Sequence, residues 1–139
     1  MSEPRHQQMH ASSSKAITRN VRVEVESRFA PEHSEQMQGL WFFRYTVRIT
    51  NLGSDTVQLV SRHWTITDGA GRVREVKGPG VVGEQPILGP GESFRYTSGC
   101  DLNTSTGTME GTYQMVDEDG QTFDVEIAPF ALHPPYTVH

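Results

Sequence analysis

The sequence predicts an all-β fold, a two-sheet β-sandwich of about seven strands of the immunoglobulin or fibronectin type III kind. Three observations carry this. Apolar residues recur with period two in short windows, clusters of Gly, Pro, Asn and Asp separate those windows, and no window shows the 3.6-residue period of an amphipathic helix. At 139 residues and 15.6 kDa the chain has room for one domain and a tail. Hydrophobic residues make up 35% and mean hydropathy is −0.53, so the core must come from patterning rather than from average composition.

Residues 1–15 carry Ser12-Ser13-Ser14 and little to bury, and are expected to be a flexible polar tail ahead of a single domain over 16–139. After Ile17, Val21, Val23, Val25 and Phe29 alternate with Arg22, Glu24, Glu26 and Arg28, the pattern of a half-buried strand. Pro31 to Gly39 is polar and bounded by Pro and Gly, a surface connection. In Leu40 to Asn51 the residues Trp41, Phe43, Tyr45, Val47 and Ile49 alternate with Phe42, Arg44, Thr46, Arg48 and Thr50, and Asn51-Leu52-Gly53-Ser54 follows as a turn. From Thr56 to Thr67 the apolar parity switches from odd at Val57 and Leu59 to even at Trp64 and Ile66, which predicts a bulge between Val60 and His63. Asp68-Gly69-Ala70-Gly71 is hairpin chemistry leading into a short strand, Arg72 to Lys77. Gly78 to Gly91 holds five glycines and three prolines and reads as loop. Three strands complete the chain: Glu92 to Gly99, Thr108 to Val116 and Gln121 to Phe130, the last two joined by Asp117-Glu118-Asp119-Gly120.

Several function classes are disfavoured. The longest apolar runs, such as Leu40-Trp41-Phe42-Phe43, fall far below the roughly 18 residues that a bilayer-spanning helix needs, and the N-terminus lacks the apolar stretch of a secretory signal. One cysteine, Cys100, permits no intrachain disulfide, in keeping with a cytoplasmic location. A net charge of −5 has the wrong sign for holding nucleic-acid backbones, and Arg44 and Arg48 on one strand face read as a solvated face.

The sharpest local motif is Gly78-Pro79-Gly80-Val81-Val82-Gly83, which fits G-x-G-x-x-G. In a dinucleotide fold such glycines bring amides to a pyrophosphate at a helix N-terminus. Here Glu84-Gln85-Pro86 and Gly89-Pro90-Gly91 leave no room for the helix, and Pro79 removes a donor. A structural loop is the first reading, a partner surface or anion nest the second. Ser61-Arg62-His63-Trp64 places a guanidinium, an imidazole and an indole at the expected bulge, residue types that anchor interfaces, although Trp64 as core and Arg62 on a wet face is the plainer expectation. His6 and His10, four apart in the tail, do not reach the three or four fixed ligands of a metal site. Asp117 and Asp119 resemble the start of a calcium loop, but Thr122 stands where glycine is needed. Cys100 reads as a small packed thiol, not a nucleophile. No catalytic group, metal ligand or cofactor site is assigned.

These segments together resemble the ApaG family. The resemblance rests on Tyr45-Thr46-Val47, Asn51-Leu52-Gly53, Val57-Gln58-Leu59, Ser61-Arg62-His63-Trp64, Gly78 through Pro86, Pro90-Gly91-Glu92, Tyr96-Thr97-Ser98-Gly99 and Gly107-Thr108-Met109-x-Gly111-x-Tyr113-x-Met115, and runs from about Val21 to His139. In Ile127-Ala128-Pro129-Phe130 the proline stands one place later than in most members. The resemblance implies a cytoplasmic bacterial β-sandwich without established catalysis, an association with cobalt tolerance and magnesium efflux, and genes that often lie beside a diadenosine tetraphosphate hydrolase. Related eukaryotic domains in an F-box protein and a polymerase-interacting protein imply protein-interaction contexts. The expectation is a non-enzymatic module that binds a protein partner, with Gly78, Pro79, Gly80, Val81, Val82, Gly83, Arg62 and His63 as its candidate contacts. The alternative is an anion or nucleotide-binding protein, for pyrophosphate or a diadenosine polyphosphate, that uses the glycine loop.

Overall fold

The computed structural model describes residues 11–135. Its strands are β1 (Ser13–Thr18), β2 (Val21–Phe29), β3 (Trp41–Asn51), β4 (Val57–Asp68), β5 (Val73–Pro79), β6 (Ile87–Leu88), β7 (Ser93–Leu102), β8 (Gly107–Val116) and β9 (Thr122–Leu132). One sheet has the order β1-β2-β3-β7; the other has β5-β4-β8-β9, with β6 paired to the first residues of β4. All pairs are antiparallel. The all-β sandwich is as expected, but there are nine strands rather than about seven. Arg19 and Asn20, both at positive φ, turn the chain between β1 and β2, so the first segment is a hairpin. That hairpin begins at Ser13, three residues inside the span expected to be tail, because Ser14 Oγ donates to the Ala128 carbonyl at 2.8 Å and orders it. His6 and His10 lie outside the described residues. The second additional strand, β6, sits within the glycine- and proline-rich stretch.

The alternation seen in the sequence is the alternation of burial. Val21, Val23, Val25, Phe43, Tyr45, Val47 and Ile49 from the first sheet meet Leu59, Trp64, Ile66, Met109, Tyr113, Met115, Val125 and Ile127 from the second, in one core. Trp64 is its aromatic hub, with ring centroids 5.2 Å from Tyr45, 6.0 Å from Phe130 and 6.4 Å from Tyr113. Tyr96 of β7 and Tyr113 of β8 share a short hydroxyl–hydroxyl hydrogen bond across the core, which joins the sheets with a buried polar contact.

The two sides of the sandwich differ. On one, β1 packs on β9, and Ala131 N donates to Ala11 O at 2.7 Å while Ser27 Oγ donates to Ala131 O at 2.6 Å, so the sheets are stitched together. On the other, the edge strands β7 and β5 are bridged by Arg74, whose Nη2 donates to Asp101 O at 2.8 Å and lies 3.7 Å from the Asp101 carboxylate. The candidate site lies on this more open side. No helix among the described residues is long and apolar enough to cross a membrane.

Candidate functional site: the glycine loop and the cavity beside it

The bulge expected between Val60 and His63 falls between Leu59 and Ser61, where the β4–β8 register shifts. Val60 is the extra residue and is pushed outward. The parity after it places Arg62 with Trp64 and Ile66, so Arg62 stands on the inner side of β4, opposite buried Tyr113. Trp64 is core, as expected, but Arg62 is not on a wet strand face. Its Nη1 donates to the carbonyls of Pro79 and Gly80, both at 2.9 Å, and clasps the start of the glycine loop. His63 points to the other face, where its Nε2 lies 2.7 Å from a Glu75 carboxylate oxygen. Of the predicted site residues, Arg62 and the loop therefore converge and His63 stands apart.

The motif glycines have local reasons. A Cβ on Gly78 would lie 3.1 Å from both Arg62 Nη atoms, so Gly78 makes room for the guanidinium. At Gly80, with φ +60°, a Cβ would lie 2.3 Å from the Glu84 carbonyl oxygen. Val82 (φ 43°) and Gly83 (φ 82°) are the central residues of a two-residue turn closed by Val81 N to Glu84 O at 2.8 Å and Glu84 N to Val81 O at 2.9 Å. The Gly80 amide donates to Val60 O at 2.8 Å. The amides of Gly80, Val81 and Glu84 are thus committed to backbone acceptors and Pro79 has none, which leaves little of a phosphate nest. Val81 is buried in the core, whereas Val82 is 54% exposed.

Holding a β-branched residue in the left-handed region costs about 1–2 kcal/mol. Val82→Gly is therefore expected to raise the thermal midpoint by a few degrees, although glycine gives back part of the gain through unfolded-chain entropy. A midpoint at or below the parent's in calorimetry would show that the turn is unstrained.

Beside the loop, between β4, β5 and β7, is a cavity of about 390 Å³ walled by Tyr45, Trp64, Ile66 and Met109, with Arg62, Arg74, Ser98 and Cys100 also lining it. A larger hollow of about 640 Å³ lies on the outer face of the first sheet, among Lys15, Glu24, Arg48 and Arg95, but it is an open strand surface. Sequence reading missed the cavity because its lining is assembled from strands of both sheets, β3 and β7 of one and β4, β5 and β8 of the other. One signal was present: once the parity switch is accepted, an arginine falls on an inward position.

Cys100, in the cavity wall, is only 5% exposed, and burial pushes its thiol from the ordinary 9.0 up to about 11, with nearby Arg74 offsetting part of the rise. Burial likewise raises the phenols of Tyr45, Tyr96 and Tyr113. In each case the fold favours the neutral form, so stability is complete below the unfolded thiol's pKa and is lost as pH rises, because the unfolded chain ionises first. Urea midpoints are expected to hold steady up to about pH 9 and fall between about pH 9 and 11, with up to about 2 kcal/mol of the loss due to the thiol. Cys100→Ala should flatten that first portion; an identical decline in the variant would remove the thiol from the account.

Residues 31–117 match the family model of the ApaG domain. The chain belongs to the ApaG family. Protein ApaG of Bradyrhizobium sp. (strain ORS 278) is 56% identical over 121 residues, 87% of this chain and 93% of that protein. Protein ApaG of Bordetella pertussis is 56% identical over 120 residues, 86% and 92% of the two chains. Among solved structures, the crystal structure described as the putative ApaA protein of Bordetella pertussis superimposes with a TM-score of 0.81 at 52% identity, covering 92% of this chain and 99% of that one. The two-sheet sandwich described above is thus an ApaG-domain architecture, and the glycine loop and bulge lie inside the matched segment.

Proposed function

We propose that this ApaG domain is a non-enzymatic protein-interaction module whose contact surface is the Val81–Glu84 turn with the adjoining Val60 and Ile87. The observation that carries the reading is the exposed valine held at positive φ. Val82 buries little, strains its backbone and sits on a loop fixed from beneath by Arg62, an arrangement suited to presenting an apolar side chain. Val60 and Ile87 are 37% and 63% exposed, and both are tied to the same structure: Gly80 N and Gln85 Nε2 donate to Val60 O, and Ile87 pairs with Gln58. A partner's apolar residues would meet a surface that pays little ordering entropy on binding.

The anion or nucleotide reading of the same loop is weaker because most of its amides are spent. Among the described residues no three His, Cys, Asp or Glu side chains stand close enough to hold a metal ion. In this reading the link to cobalt tolerance and magnesium efflux that the family resemblance implies runs through the partner. The test is affinity capture from a bacterial extract with the parent chain, with Val82→Gly, which keeps or improves stability, and with the pair Val82→Asp and Ile87→Asp. The parent is expected to retain a partner that both variants lose at least fivefold. Indistinguishable partner sets from the three proteins would place the contact surface elsewhere.

A further inference from the structure

The cavity between β4, β5 and β7 gathers two guanidiniums and an indole donor, while the Tyr45 and Ser98 hydroxyls that also line it are hydrogen-bonded to each other. Arg62 has no carboxylate partner among the described residues: its hydrogen bonds go to two carbonyls, both from Nη1, so Nη2 and Nε remain uncommitted. The indole N–H of Trp64, a residue only 2% exposed, is buried without an acceptor. Its ring neighbours Tyr45, Tyr113 and Phe130 supply edges and faces, and the Tyr113 hydroxyl is engaged with Tyr96. Arg74 brings a second guanidinium to the mouth, where the only carboxylate lining the cavity is that of Asp101, half exposed and already paired with Arg74. Trp64, Ile66 and Met109, nearly buried in the core, give the cavity an apolar floor. A volume of about 390 Å³ is on the scale of small-ligand sites.

We propose that this cavity binds a carboxylate carried on a flat apolar body, with Arg62 as its charge partner and Trp64 and Ile66 as its wall. A guanidinium edge matches a carboxylate in plane, and Trp64, whose buried indole N–H has no acceptor, lines the same cavity. The one free guanidinium edge inside the cavity, Nη2 and Nε of Arg62, suits a monoanion better than a phosphate dianion. The site is distinct from the Val82 turn, although Arg62 serves both. The carboxylate can come from a free aromatic acid or from the C-terminus of a peptide that ends in an aromatic residue.

The test is an NMR titration of the ¹⁵N-labelled full chain in a Trp41→Phe background, where the one remaining indole signal is that of Trp64. The probes are benzoate, its neutral and cationic counterparts benzamide and benzylamine, and a short peptide ending in Phe as the free acid or the amide. Benzoate or the free-acid peptide is expected to shift the Trp64 indole and Ser98 amide signals with a dissociation constant on the order of 1 mM, as suits so small a ligand. Benzamide, benzylamine and the peptide amide should not. Response to benzoate alone assigns the group to a free acid, and response to the peptide acid alone assigns it to a protein C-terminus. Arg62→Gln should weaken binding at least tenfold, with the Gly80 and Glu84 amide signals reporting whether the loop stays in place. Arg74→Gln, which leaves the Arg62 clasp untouched, should weaken binding several-fold and decides the matter if Arg62→Gln unfolds. No shift with either acid, equal shifts with benzamide, or undiminished shifts in both arginine variants would overturn the proposal.

Discussion

Gly111→Ala is expected to be the most damaging single-methyl change in the domain. Gly111 lies in the middle of β8, opposite Trp64 of β4, where the β8–β9 register shifts between Met109 and Gly111. A Cβ there would lie 2.1 Å from the His63 carbonyl oxygen and 3.1 Å from Trp64 Cα, both backbone atoms that cannot swing aside as a flexible side chain would. β8 and β4 would have to part at the aromatic hub. Overpacking of this kind costs about 3 kcal/mol or more, and in a domain of this size that lowers the thermal midpoint by about 10 °C. Thermal denaturation read by tryptophan fluorescence would measure it. A midpoint within a degree or two of the parent's would show that the strands can separate cheaply there.

Asn51→Ala should come second, with a loss of about 3 kcal/mol, since each buried group left without its partner costs about 1–3 kcal/mol. Asn51 is 1% exposed at the end of β3. Its Nδ2 donates to Asp55 O at 2.7 Å and Leu88 O at 2.9 Å, and its Oδ1 accepts from Gly53 N at 2.9 Å. Its backbone adds Asn51 N to Glu92 O and Gly91 N to Asn51 O. One side chain thus ties the β3–β4 turn to β6, and β6 closes the segment that carries the Val82 turn. The variant should therefore also speed hydrogen exchange at Gly80, Val81 and Glu84, more than 25 residues away in sequence. Unchanged exchange there, with the stability loss present, would separate Asn51 from the loop.

Most of the core was legible because a half-buried strand writes its inner face on alternate residues. Val21 through Val25, Phe43 through Ile49 and Tyr113 through Met115 are buried as that rule requires. The parity switch between Leu59 and Trp64 gave the bulge for the same reason. The hairpin between β1 and β2 was hidden because its turn is Arg19-Asn20: both residues take positive φ without a glycine to advertise it. β6 was hidden by the surrounding Gly and Pro, and only its pairing with Val57 and Gln58 gives it strand character. At the candidate site the glycine spacing was visible, but its meaning was not. Room for the Arg62 guanidinium and contact with the Glu84 carbonyl depend on what folds against Gly78 and Gly80, and spacing alone does not record that. The cavity was least legible, since its walls come from β3, β4, β5, β7 and β8.

The stitched side of the sandwich has a consequence for synthesis. The Ser14 hydroxyl waits for a carbonyl 114 residues further along, and the Ala11 carbonyl waits for the Ala131 amide. A ribosome therefore releases β1 and β2 long before their covering strand exists, and the valine face of β2 travels uncovered until the last strand emerges. Pairing over such separations is slow, and uncovered strands are prone to aggregate. The nascent chain is at its most vulnerable just before β9 emerges.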